Sequence, residues 1–256
     1  RRGCGVLQVK PLHLTIGSHP MAQSRKLHDK YFKLAKREGY VARSAYKLLE
    51  IQQRRKLIRR GDWVLDLGCA PGSWTQVAEK IVGKDGLVVG IDLQAMRTEF
   101  GPNVRTVQGD FTKVDMSELL PPKELKQKKV FDKPEDEQPE PELVQPLLDV
   151  VISDMAPSTT GHGDHFLSEQ LCQVIVDQLP TLLKKNGNCT MKVLEGESFP
   201  ELLARVRKCF RIAGAIKPDA CRDVSRETYI FGMGFRPSKV RVEDEDSKPK
   251  PLAPPP

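Results

Sequence analysis

The stretch WVLDLGCAPGSWTQVAEKIVGKDGLVVGIDL, residues 63–93, leaves a chain few ways to fold. WVLDLG is a short apolar run ending at Gly68. A glycine-containing loop follows, then SWTQVAEKIVG, a helical pattern stopped by Gly83, and then LVVGIDL, a second apolar run. Strand, loop, helix and strand in that order make a βαβ unit, and such units build parallel sheets. The runs carry almost no polar alternation, which suits strands covered by helices on both faces.

The alternation continues through the rest of the chain. VRTVQGD and DVVISDM read as third and fourth strands, NCTMKVL as a fifth and ETYIFGMGF as a final one. Between them lie helical patterns in FLSEQLCQVIVDQLPTLLKK, expected to bend or split at Pro180, and in PELLARVRKCF. Upstream, LHDKYFKLAKREGY sets Leu27, Tyr31 and Leu34 on one face, and RSAYKLLEIQQRRKLI repeats the habit with Ala45, Leu48, Leu49 and Ile51. The expected fold is α/β, a doubly wound and mostly parallel sheet with helices on both faces. A length of 256 residues fits one such domain. Its expected limits are residues 25–237, preceded by a disordered extension (1–24) and followed by a disordered tail (238–256). Residues 121–146 are rich in Pro and charge and read as a surface insertion. That insertion holds five lysines against seven acids, so the remaining chain is more basic than its overall charge of +7.

A basic chain favours a polyanionic partner. No run of 18 apolar residues occurs, so no membrane span is expected. The six cysteines form no C-x-x-C pair, which argues against a structural metal and for buried, reduced thiols. No acid precedes Asp29, as in a mitochondrial or plastid transit peptide, but the Ser-rich, Arg-studded pattern of such peptides is missing. A cytoplasmic monomer is the expectation.

In a parallel sheet, ligands sit beyond the carboxyl ends of the strands, where Gly68 and Gly72 fall. Asp92, near the end of the second strand, suits the two hydroxyls of a ribose. Asp110 in QGDF suits an adenine amine, with Phe111 beside the ring. These stations describe a nucleoside. A dehydrogenase would place NAD there, but the G-x-G-x-x-G that admits its pyrophosphate is missing. The D-x-G-x-x-x-G loop with Pro71 better suits S-adenosylmethionine, which has no phosphates.

Four charged residues sit where charge is unexpected or close to the same edge: Lys47 in RSAYKLLEI, Asp154 in SDMAPS, Lys192 in MKVLEGESF and Glu227 in SRETYIFG. Lys192 interrupts an apolar strand, and Asp154 closes another directly before a turn. Charges in such places need partners, so a mutually paired cluster is expected, either as a structural network or as a catalytic one.

With these motifs in hand, the chain resembles the FtsJ/RrmJ family of S-adenosylmethionine-dependent RNA ribose 2′-O-methyltransferases. The likeness runs from about Arg25 to Phe235 outside the insertion. It rests on ARSAYKLLEI, LDLGCAPGSWTQVA, GIDL, GDF, SDMAP, MKVLEGE and SRETYI in family order. The resemblance implies a Rossmann-like methyltransferase with a seven-stranded sheet. It also implies a catalytic tetrad of Lys47, Asp154, Lys192 and Glu227, with Lys192 the proton acceptor, and donor-binding positions at Gly72, Trp74, Asp92, Asp110 and Asp154, which join Gly68 of the loop. Ser158 departs from the family, where asparagine is frequent, and the insertion is a second departure. The implied substrate is a uridine of large-subunit ribosomal RNA. A transfer RNA anticodon loop, an mRNA cap and a catalytically silent RNA-binding relative are the alternatives.

The residues support the same chemistry independently. A ribose hydroxyl is a weak nucleophile, and methylating it calls for a base and close alignment. Lysine becomes a base when burial or a second cation lowers its pKa; Lys192 near Lys47 has those ingredients, whereas Asp154 would favour its charged form. RNA phosphates would follow the basic helices through Arg25, Lys26, Lys30, Lys33, Lys36, Arg37, Arg43, Arg54, Arg55 and Arg59.

Overall fold

The computed structural model describes residues 30–114, 119–120, 123–124, 143–144, 147–157, 163–221 and 225–237. The expected extension and tail, most of the insertion, Ser158, Arg25 and Lys26 lie outside the described residues. Within the insertion, Lys123–Glu124 pairs antiparallel with Leu143–Val144.

The main sheet has seven strands. In chain order they are β1 (Trp63–Leu67), β2 (Leu87–Asp92), β3 (Val104–Gln108), β4 (Leu148–Ser153), β5 (Leu183–Leu194), β6 (Phe210–Ile216) and β7 (Glu227–Phe235). Across the sheet the order is β3-β2-β1-β4-β5-β7-β6. From β3 to β5 every pairing is parallel, and β7 runs antiparallel between β5 and β6. The helices are α1 (residues 30–38), α2 (Ala45–Arg55), α3 (Ser73–Val82), α4 (Asp164–Leu182) and α5 (Phe199–Cys209). One face of the sheet packs on α2 and α3 through Leu48, Ile51, Val77 and Val82. The other packs on α4 and α5 through Cys172, Val176, Leu179 and Val206. Each fully buried aliphatic side chain in these layers contributes roughly 1.5–3 kcal/mol.

Two boundaries differ from the sequence expectation. The helical pattern was expected to reach Lys185, but α4 ends at Leu182 and Leu183 already has extended backbone (φ −106°, ψ 127°). Pro180 lies inside the last turn without interrupting the helix. The strand Phe210–Ile216 carries no strong signal because it is the sheet's edge: Phe210 and Ile216 are buried, whereas Arg211, Ile212 and Ala215 are exposed. Five of the cysteines, Cys69, Cys172, Cys189, Cys209 and Cys221, are buried. Burial pushes the Cys172 and Cys221 thiols up to about 12, which keeps them inert.

The fold gathers chemistry at one edge. β1, β2, β4 and β5 end there, and β7, running the other way, begins there.

Candidate active site

A cavity of about 660 Å³ opens at the carboxyl ends of β1, β2 and β4. Gly68, Asp92, Asp110, Phe111, Asp154 and Met155 are among its walls, with Leu171 and Val174 contributed by α4. The loop after β1 is held close. Gly68 has φ +73°, and a Cβ there would meet Met155 Cγ at 2.3 Å, so only glycine fits. Two of the cavity's acids are fixed by backbone. Asp92 accepts hydrogen bonds from the Ala70 N–H (2.9 Å) and the Gln94 N–H (2.8 Å). Asp110 accepts from the Thr112 N–H (3.0 Å) and hydroxyl (2.8 Å), and these donors hold its carboxyl below the usual carboxylate range. The walls carry Asp92, Asp110 and Asp154 but, among the described residues, no Lys or Arg.

Gly72 and Trp74 are placed differently from the expectation, since neither lines the cavity. Gly72 caps α3 with φ +114° and packs toward Phe100 and Thr98. Trp74 is buried in the α2–α3 layer, where its indole N–H donates to the Ser44 carbonyl (2.9 Å) and its ring stacks on Tyr229 at 5.5 Å. The sequence pattern marks a loop, but it does not say which way each side chain turns.

The four charged residues do come together. Lys192 Nζ lies 3.1 Å from the Asp154 carboxylate and donates to the Asp154 carbonyl at 2.5 Å. Lys47, from the first turn of α2, is ion-paired with Glu227 at the start of β7. All four side chains are mostly buried, between 11% and 17% exposed. Burial alone would lower the Lys47 pKa, but Asp154 and Glu227 outweigh it and raise it above the ordinary value. Burial would likewise raise Glu227, and Lys47 outweighs that and holds it low. The cluster is internally neutral, which is how buried charge is tolerated.

Two members of this region are not legible from charge patterning alone. Tyr229 is fully buried and its hydroxyl sits 2.7 Å from Asp154 Oδ1 and 2.6 Å from Glu227 Oε1. A phenol has one hydrogen, so it donates to one carboxylate at a time while touching both. Burial and those two carboxylates drive its pKa well above the ordinary value. The signal was its position two residues after Glu227, on the same strand face. Asp66 lies beneath the loop, wholly buried within β1. Its Oδ2 accepts the Thr75 hydroxyl at 2.7 Å while Oδ1 has no hydrogen-bond partner among the described residues, and burial pushes its carboxyl up to about 7.

A second cleft, of about 550 Å³, opens where β5 ends and β7 begins, bounded by His165, Glu195, Phe199 and Arg226. The α4 residues Ser168 and Glu169 hold its floor by accepting the Leu194 and Gly196 N–H groups at 3.0 Å each. Among the described residues no group of His, Cys, Asp and Glu has the arrangement of a metal site, and no helix is long and apolar enough to cross a membrane.

The basic helices divide. Lys30, Lys33, Lys36, Arg37 and Arg43 stand on or just after α1, upstream of Lys47, with Arg37 against Glu38. Arg54 is instead engaged with Glu50 and Asp219, and Arg55 covers the Phe231 ring at 4.1 Å. Arg59 lies beyond α2, at the opposite edge of the sheet.

This sheet order, with a nucleoside-sized acidic cavity at its carboxyl edge, defines a Rossmann-like methyltransferase. Comparison with known proteins makes the assignment particular. The model of the FtsJ-like methyltransferases matches residues 40–235, and the chain belongs to that family. It is 39% identical over 217 residues to the ribosomal RNA large subunit methyltransferase E of Syntrophobacter fumaroxidans, covering 84% of this chain and 100% of that one. The protein of the same name from Methanobrevibacter smithii is 36% identical over 219 residues, with 85% and 95% covered. Among solved structures, a Plasmodium falciparum protein assigned to the ribosomal RNA methyltransferases superposes with a TM-score of 0.59 at 25% identity, over 77% of this chain and 98% of the other.

Proposed function

We propose that this methyltransferase moves a methyl group from S-adenosylmethionine to the 2′-hydroxyl of an RNA ribose, at a uridine of large-subunit ribosomal RNA. The observation that carries the donor assignment is the charge of the cavity. Three carboxylates and no Lys or Arg among its described walls suit a cationic, phosphate-free donor and would repel the diphosphate of NAD. The RNA assignment is supported by the names of the relatives and by the basic surface of α1 upstream of Lys47.

When bound, S-adenosylmethionine supplies an electrophilic methyl group on a sulfonium centre. Asp92, already oriented by two backbone N–H groups, would accept from the ribose hydroxyls, and Asp110 from the adenine amine. Asp154 lines that cavity and also holds Lys192, so it joins the donor side to the base. Lys192, in its neutral form, takes the proton of the attacking 2′-hydroxyl at Nζ, and Asp154 then holds the resulting ammonium in place. Lys47 and Glu227 fix the far side of the acceptor.

The test incubates the full chain with S-adenosylmethionine and undermodified ribosomal RNA and examines the digested nucleosides by mass spectrometry. A gain of 2′-O-methyluridine is expected. A methyl group on a base, or on transfer RNA alone, would overturn the assignment.

A further inference from the structure

The edge of the sheet opposite the active site carries a feature that methyl transfer does not use. Between the Leu148–Leu183 and Val150–Asn188 pairs, β4 contributes one residue and β5 contributes four, so Lys184, Lys185, Asn186 and Gly187 bulge out of the ladder. Asn186 takes φ +68°, a conformation that costs a non-glycine residue energy. Gly187 lies so close to Asp149 that a Cβ would sit 2.8 Å from its carbonyl. Bulges of this kind re-aim side chains, and this one helps wall a cavity of about 320 Å³ together with Arg59 and Arg211.

The cavity's acids face inward. Asp149 takes Lys184 on one oxygen and the Trp63 N–H, at 3.0 Å, on the other. Asp62 accepts the Arg59 N–H at 2.7 Å. Among the described residues, the side chains of Arg59, Lys185 and Arg211 have no salt bridge, and all three residues are exposed. Arg211 has a made-to-fit seat: Gly234 has φ +73°, and a Cβ on it would meet Arg211 Nε at 2.4 Å. Asn188 ties the floor together, donating to the Leu57 carbonyl (2.8 Å) and accepting the Gly234 N–H (3.2 Å).

We infer that this cavity is a second anion site, which takes a backbone phosphate of the RNA substrate at a distance from the methylated nucleotide. Two guanidiniums and an ammonium lining one hollow suit the oxygens of a phosphodiester. The hollow begins about 13 Å from Lys192, measured as four residues of strand from Asn188, so the phosphate it holds belongs to another part of the RNA. Arg59 lies four residues past the end of α2, the helix whose first turn bears Lys47, so a short stretch of chain joins the two regions. The inference rests on the RNA reading above, and its test separates the two.

The test measures binding of the full chain to a 40-nucleotide polyuridylate by fluorescence anisotropy across a salt series, for wild type and for the Lys185→Glu, Arg211→Glu double variant. The variant should bind at least tenfold more weakly. Its log-affinity against log-salt slope should be shallower by about 0.7 for each phosphate that the variant no longer neutralises. S-adenosylmethionine affinity should be unchanged, which also shows that the variant is folded; Lys185→Gln, Arg211→Gln is the milder second variant. An unchanged slope in both variants overturns the second site. A wild-type chain that binds no polyuridylate overturns the RNA reading itself. If inorganic phosphate binds at this cavity but polyuridylate does not sense either variant, the site serves a small anion, and the assignment to RNA is wrong.

Discussion

The proposed donor cavity and the charged cluster share an edge of the sheet but are built on different principles. In the cavity, Asp92 and Asp110 are each held by the protein backbone and by a local turn. In the cluster, side chains are held chiefly by one another: Lys47 by Glu227, Glu227 by Tyr229, Tyr229 by Asp154 and Asp154 by Lys192. A backbone-held acid can be removed without disturbing its neighbours. Removing one member of a mutually held chain leaves the next without a partner in a buried place. Donor binding should therefore respond to substitution locally, and the cluster collectively.

The largest expected effect tests whether the cluster does chemistry at all. Lys192→Ala should slow single-turnover methyl transfer by about two to four orders of magnitude, the range for loss of a positioned base, with little change in donor affinity. Lys192→Arg should fail to rescue, because a guanidinium stays protonated. An arginine variant as fast as wild type would show that Lys192 supplies only positive charge.

Next in size is the cost of breaking a buried pair. Glu227→Gln should destabilise the fold by about 3 kcal/mol, because it removes the ion-pair partner of buried Lys47, and urea unfolding measures this. The effect has a sign in pH. The folded pKa of Glu227 lies below its unfolded value. Its stabilisation is therefore complete above the ordinary carboxylate range and is lost as pH falls through the folded value. The variant should lose that acid-side slope, and a slope equal to wild type would mean the pair contributes nothing.

Asp92→Ala is smaller and local. Loss of hydrogen bonds to a charged acceptor, worth roughly 1.5–3 kcal/mol, should weaken S-adenosylmethionine about ten- to a hundredfold, as read by calorimetry. Combined with Glu227→Gln its effect on stability should add; coupling above about 0.5 kcal/mol would break the contrast between the two regions.

The smallest effect sharpens the contrast. Tyr229→Phe removes one hydroxyl between two carboxylates and should cost about 1 kcal/mol. Its coupling to Glu227→Gln should reach about 0.5–3 kcal/mol, the range for contacting residues. Simple additivity would mean that the phenol is only packing.

The parallel sheet and the charged cluster were legible because both leave strong marks. Apolar runs alternating with helical patterns fix a parallel sheet, and a lysine inside an apolar strand, such as Lys192, demands a partner. Less was legible where direction decides. Trp74 stands in the loop motif yet turns into the α2–α3 layer, and Arg54 and Arg55 stand in a basic stretch yet are occupied by Asp219 and Phe231. The edge strand β6 was hidden by its exposed positions, and the bulge in β5 by a helical pattern that ran on into Lys184 and Lys185. Tyr229 looked like one more aromatic in a strand, since only the third dimension brings Asp154 to its hydroxyl.

The stack of Trp74 on Tyr229 has an optical consequence. The chain has two tryptophans, and the other, Trp63, begins β1 at the far edge. In a Trp63→Phe background, indole emission would come from Trp74 alone, a fluorophore seated between the helix that follows the donor loop and the phenol that bridges two carboxylates of the cluster. Light from that one ring would then report on the packing between that helix and the phenol, with no label attached to the protein.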